Sequence, residues 1–109
     1  MRIFTTKTYQ RAISKIATPE NRKAMETAIA ANPIAAPVIP GTGGIRKMRW
    51  SGSGRGKRGG IRTIYFYHAE PGALYLLTAY TKSSRDDLSA DDKKAWARVV
   101  KAIKQEVKN

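Results

Sequence analysis

Residues 41–67 read GTGGIRKMRWSGSGRGKRGGIRTIYFY and hold eight of the chain's nine glycines and seven of its twenty-one basic residues. The pattern is strand, glycine-rich basic loop, strand. Residues 45–50 are apolar and basic by turns, and residues 61–67 are rich in β-branched and aromatic side chains. No carboxylate occurs from Gly41 through Ala69, so nothing local offsets Arg46, Lys47, Arg49, Arg55, Lys57, Arg58 and Arg62. Crowded like charges repel one another, and a positive hairpin with close backbone access suits a polyanion. A merely solubilising hairpin is the bland alternative. Loops held by rigid strands are also where binding groups usually sit.

The rest of the chain supplies elements to pack on this hairpin. Residues 2–5 are a short strand candidate. Thr8 is the expected cap of a first helix with Tyr9, Ala12, Ile13 and Ile16 on one face. Thr18-Pro19-Glu20 is a start signal for a second, since threonine caps, proline suits the first helical position and an acid suits the dipole. That helix should run to about Ala31 with Ala24, Met25, Ala28 and Ile29 inward, and Asn32-Pro33 should stop it. The three prolines and absent charge of residues 32–40 predict an extended connector over apolar surface. Glu70-Pro71-Gly72 is a turn into a third strand, residues 73–81. Ser89 should cap a last helix whose Trp96, Val99, Val100, Ile103 and Val107 form one buried stripe. The expectation is a single α+β domain over residues 1–109, with a small antiparallel β-sheet, two N-terminal helices and a C-terminal helix.

Composition narrows the chemistry. Twenty-one basic against eight acidic residues leave a net charge of +13. That excess points to nucleic acid, a ribosome or another anionic partner. With no cysteine, disulfides, zinc knuckles and thiol chemistry are excluded, and His68 alone makes no histidine metal site. The N-terminus lacks a signal-peptide core and no run has membrane-spanning length, which predicts a cytoplasmic protein. GSGRGKRGG fails as a P-loop because Gly56-Lys57 is followed by Arg58. Asp86-Asp87 reads as a solvated pair ahead of a helix. What remains is a site of arginine and lysine, perhaps with tyrosine. RNA carries its own 2′-hydroxyl nucleophile, so an enzyme can cleave it by aligning the backbone and stabilising charge on the phosphate oxygens. Arginine suits that task, because its fork binds phosphate bidentately and stays protonated. Pattern alone does not separate cleavage from simple binding.

GTGGIRKMRW, the loop GRGKRGG, the following IRTIYFY, and LYLLTAYTKSSRDDLS ahead of a helix together resemble the HigB-type branch of the RelE/ParE toxin superfamily. The resemblance spans nearly the whole chain. It implies a RelE-like fold and a type II toxin that cuts mRNA in the ribosomal A site, without metal or cofactor. It also implies restraint by a helix-turn-helix antitoxin of the HigA type. The free toxin is expected to be a monomer. By position it assigns the catalytic role to Lys47, Arg49, Arg62 and Lys82. RNA or ribosome contacts fall to Arg46, Arg55, Lys57, Arg58 and Arg85. Arg62 is expected to open its strand outside the core, so that its loss should barely touch stability. The tyrosine that RelE carries further on has no counterpart in Asp86-Asp87-Leu88-Ser89, and Tyr80 or His68 stands open as its substitute. A gyrase-directed ParE-like toxin and a non-enzymatic RNA- or ribosome-binding module are the alternative readings.

Overall fold

The elements follow in the order β1 (Arg2–Thr5), α1 (Lys7–Ile16), α2 (Pro19–Ala31), β2 (Ile45–Trp50), β3 (Ile61–His68), β4 (Ala73–Thr81) and α3 (Ala90–Lys108). The computed structural model describes residues 1–51, 60–84 and 87–108, so Arg55, Lys57, Arg58 and Arg85 lie outside the described residues. The four strands form one sheet in the order β1-β4-β3-β2.

β2, β3 and β4 pair antiparallel as expected, but β1 joins β4 in parallel, which makes the sheet mixed. The reason lies in the chain path. β3 occupies one edge of β4, and β1 takes the other while feeding directly into α1. Thr6 ties that junction down: its N–H donates to the Leu76 carbonyl at 3.2 Å and its hydroxyl to the Leu77 carbonyl at 2.6 Å. Thr6 is therefore also the cap of α1, in place of the expected Thr8, and its oxygen accepts from the Tyr9 N–H at 2.9 Å. TTKT offers three threonines, and Thr6 takes the cap because it stands between the last residue of β1 and the first of α1 with an extended backbone.

The other starts match their residues. Thr18 accepts from the Asn21 N–H at 3.1 Å, with Pro19 opening the helix. Ser89 accepts from the Asp92 N–H at 3.0 Å while the Asp92 carboxylate accepts from the Ser89 N–H at 3.4 Å, a reciprocal capping box.

Helices cover both faces of the sheet. On one, Tyr9, Ile13, Met25 and Ile29 pack against Ile61, Tyr65, Leu74 and Leu76. On the other, Val100 and Leu88 close over Ile45, Ile64, Phe66 and Leu77, with Trp96 and Ile103 at the margin. Each fully buried leucine or isoleucine contributes roughly 1.5–3 kcal/mol. The expected stripes are narrower in fact. Ala24 is exposed, Val99 is 37% exposed, and Val107 is not among the side chains described. A helix crossing a sheet touches it along one line, and the 3.6-residue repeat turns Val99 away when Val100 faces in.

The proline-rich connector runs along the outer edge of β2, with an antiparallel bridge between Val38 and Arg46. The Ile39 N–H donates to the Ile45 carbonyl at 2.7 Å and the Lys47 N–H to the Pro37 carbonyl at 3.2 Å. At the start of β3, Gly60 has φ of 72°, and a Cβ there would lie 2.2 Å from the Trp50 carbonyl oxygen. Only glycine lets the chain re-enter the sheet so close to β2.

Candidate nucleic-acid interface

Alternation along β2 sorts its side chains by face. Ile45 belongs to the α3 side, so Lys47 and Arg49, two and four residues on, share that side. Met48 and Trp50 pack against the α1–α2 core. Arg46 goes with them, and its guanidinium donates to the Ile34 carbonyl at 3.1 Å and the Ala36 carbonyl at 2.7 Å. It thus stands on the opposite face from Lys47 and Arg49.

Strand register assembles the site. Arg49 lies opposite Arg62, and Arg62 lies opposite Tyr80, giving one row across β2, β3 and β4. Lys47 is one pleat further along, opposite Ile64. Lys82 follows β4 directly, and its N–H donates to the Gly60 carbonyl at 3.4 Å, at the same end of the sheet. The four cations assigned by sequence therefore meet at one end of the sheet.

Burial within the row is uneven. Arg49 is exposed, whereas Arg62 is only 6% exposed and Tyr80 7%. The expectation that Arg62 stands outside the core is corrected. β3 is a central strand, and cross-strand neighbours on both sides shut Arg62 in. A buried guanidinium is costly to place and disruptive to remove, so Arg62 supports the fold as well as marking the site.

Lys47 has a partner that the sequence reading treated as solvated. Its ammonium lies 3.5 Å from Asp87, and Lys93 reaches the same carboxylate at 4.0 Å. The Leu88 N–H, donating to Asp87 at 2.8 Å, holds that carboxyl below its ordinary range, with help from Lys47 and Lys93. The signal for it in sequence was faint: an acid two residues before the cap Ser89.

His68 ends β3 opposite Ala73, six residues beyond Arg62, or roughly 20 Å along the strand. It packs beside Phe66, with ring centroids 5.5 Å apart, and does not meet the cationic row. Tyr80 does. Among the described residues no three histidine, aspartate or glutamate side chains gather as a metal site, and no helix is long and apolar enough to cross a membrane.

Two solved structures share this architecture. The intact E. coli RelBE toxin–antitoxin complex contains a chain that matches with a TM-score of 0.57 and 16% identity, over 73% of this chain and 94% of that one. A mutant of E. coli toxin RelE in the free state matches with a TM-score of 0.54 and 14% identity, over 78% and 86%. At such identity the likeness speaks for the fold. The model of the RelE toxin of the RelE/RelB toxin–antitoxin system matches residues 1–109, and with a cationic row on a RelE-like sheet the chain belongs to the RelE toxin family.

Proposed function

We propose that this chain is a ribosome-dependent mRNA endonuclease of the HigB-type branch, acting in the cytoplasm on message in the ribosomal A site. The observation that carries the reading is the register row Arg49–Arg62–Tyr80 with Lys47 beside it on one face. Exposed Arg49 and Lys82 reach the scissile phosphate. Arg62, fixed by its burial, aims a permanent charge at the oxygens where negative charge develops. Lys47 shares its charge between Asp87 and phosphate.

In the reaction the 2′-oxygen attacks phosphorus, its proton passes to a base, and the 5′-oxygen of the next nucleotide leaves with a proton. The bond formed is O2′–P and the bond broken is P–O5′, giving a 2′,3′-cyclic phosphate and a 5′-hydroxyl. Tyr80, as the titratable neighbour of Arg62, is the candidate to carry one of these protons. Arg55, Lys57, Arg58 and Arg85 supply ribosomal RNA contacts. A protein this basic that stops translation needs a restraining partner. An antitoxin of the HigA type, acidic where it covers the cationic row, fills that role.

A purified translation system tests the reading. A translated message should be cut and the same untranslated RNA spared, with cutting abolished by the antitoxin. An intact message beside gyrase-linked DNA breaks would support the ParE-like alternative and overturn this one.

A further inference from the structure

The outer edge of β2 is closed along one half and open along the other. The Ile39 N–H donates to the Ile45 carbonyl and the Lys47 N–H to the Pro37 carbonyl. In an antiparallel ladder the two edges alternate, so residues 45, 47 and 49 turn their backbone groups outward while 46, 48 and 50 bond β3. Pro37 ends the outer ladder, because it has no N–H to give back to the Lys47 carbonyl. Ahead of it the connector lies on the α1–α2 side, where Ala36 joins the core and its carbonyl accepts from Arg46. The Lys47 carbonyl and the Arg49 N–H and carbonyl are therefore left without a backbone bond among the described residues. Between the connector and this open edge lies a cleft of about 420 Å³, lined by Ala35, Ala36, Pro37 and Met48 with Lys47 and Arg49. Small-molecule sites usually measure roughly 300–1,000 Å³.

The cleft has three properties that one kind of ligand matches. Its walls are mostly apolar and carry no carboxylate. Its edge sets the Arg49 N–H beside the Arg49 carbonyl, a donor next to an acceptor. The Arg49 side chain at its rim is exposed, whereas Lys47 is already engaged by Asp87. A nucleotide joins two flat apolar faces to a polar edge and a phosphate. Every base sets a donor beside an acceptor: N6–H and N1 in adenine, N1–H and O6 in guanine, N4–H and N3 in cytosine, N3–H and O4 in uracil. The Arg49 backbone thus holds a base without choosing among the four. A partner strand matches less well. The open groups belong to two residues, and strand addition draws its affinity from a longer run of main-chain bonds.

We propose that this cleft is a base slot, in which the Arg49 backbone holds one unpaired base while the Arg49 side chain holds its phosphate. The slot rests on the nuclease reading for which RNA enters it, not for the binding itself. The test uses the full-length protein without ribosomes. The Arg49 amide is followed by NMR during titration with 5′-AMP, with ribose 5-phosphate, and with an extended pentapeptide of alternating glutamate and valine. 5′-AMP should move that amide downfield saturably, as a new hydrogen bond does. Ribose 5-phosphate, the same charge without a base, should bind about tenfold more weakly, the scale of one bidentate base contact, and leave the amide in place. Ala35→Phe fills the cleft from an exposed position. It should bring 5′-AMP down to the affinity of ribose 5-phosphate at an unchanged thermal midpoint. No amide shift with 5′-AMP, equal binding of the two phosphates, or undiminished 5′-AMP binding in folded Ala35→Phe would overturn the proposal. So would a shift with the peptide and none with 5′-AMP, which assigns the open edge to a protein strand. If Ala35→Phe does not fold, the two phosphates on the unaltered protein still decide. Uncut message with 5′-AMP binding intact would sink the nuclease reading alone. Cut message with no base-dependent binding would sink the slot alone.

Discussion

The two faces of the sheet use the same kinds of residue to opposite ends. On the α1–α2 face several polar side chains are paired with one another or with backbone carbonyls. Tyr9 donates to Glu26 at 2.6 Å, Arg22 pairs with that carboxylate at 2.9 Å, Tyr65 donates to the Pro33 carbonyl at 2.7 Å, and Arg46 serves two carbonyls of the connector. Burial and then the Glu26 contact push the Tyr9 phenol far above its ordinary range, and burial raises Tyr65 as well. Those hydroxyls stay protonated and structural. On the α3 face α3 covers the lower strands and leaves one end to Lys47, Arg49, Arg62 and Tyr80. Arg46 and Arg49, three residues apart on β2, thus stand on opposite faces. A charge count cannot tell them apart, and strand alternation can.

The largest expected effect breaks this division at its weakest point, the buried Arg62 to which the proposed function gives both tasks. Arg62→Ala should lower message cleavage by ~10²–10³, the scale of losing one preorganised charge-stabilising donor. Because Arg62 is buried, its thermal midpoint should fall too. Arg62→Lys should keep more of the fold than of the activity, as a point charge cannot reproduce the bidentate fork. Cleavage per folded molecule, with folded fraction read by circular dichroism, checks both; unchanged stability in Arg62→Ala would contradict the buried placement.

A second variant sharpens the apolar side of the comparison. Met25 is fully buried among α2 and the sheet, where its sulfur lies 3.0 Å from the Thr63 hydroxyl. Met25→Ala should cost about 2–5 kcal/mol by denaturant unfolding and leave cleavage per folded molecule nearly unchanged. Smaller again is the cap of α3. Ser89→Ala should lower stability by about 1 kcal/mol in the same measurement.

The smallest effect is electrostatic. The folded-state pKa of Asp87 is depressed, so its contribution is present above the ordinary carboxylate value and lost as pH falls through the lowered one. Its side chain is 49% exposed, so solvent screening keeps the stability change slight. Asp87→Asn should flatten that acid-side slope in a pH series of unfolding curves. It should also release Lys47 and tighten RNA binding at neutral pH.

Much of this was legible in the sequence because local rules decided it. The strand bounds 45–50 and 73–81, the cap at Thr18, the cap at Ser89 and the pairing of Lys47 with Arg49 on one face follow from alternation and cap chemistry. What stayed hidden depends on contacts far apart in the chain. The parallel seat of β1 is set by β3 already holding the other edge of β4. The burial of Arg62 comes from neighbours on two other strands. Asp87 meets Lys47 across forty residues. The loop residues Arg55, Lys57 and Arg58 rest on sequence alone.

The division between the faces is tested most directly on β2 itself. Arg46→Ala and Arg49→Ala are compared in one translated-message cleavage assay, each alongside its thermal midpoint. Arg49→Ala should lose ~10²–10³ in cleavage at unchanged midpoint, since an exposed arginine supports the reaction and not the fold. Arg46→Ala should keep cleavage per folded molecule and lower stability by about 0.5–1.5 kcal/mol, the net worth of its hydrogen bonds, an exposed one to the Ile34 carbonyl and a part-buried one to the Ala36 carbonyl. The reverse pattern, with cleavage lost in Arg46→Ala and kept in Arg49→Ala, would contradict the assignment of the α3 face as the RNA-cleaving one.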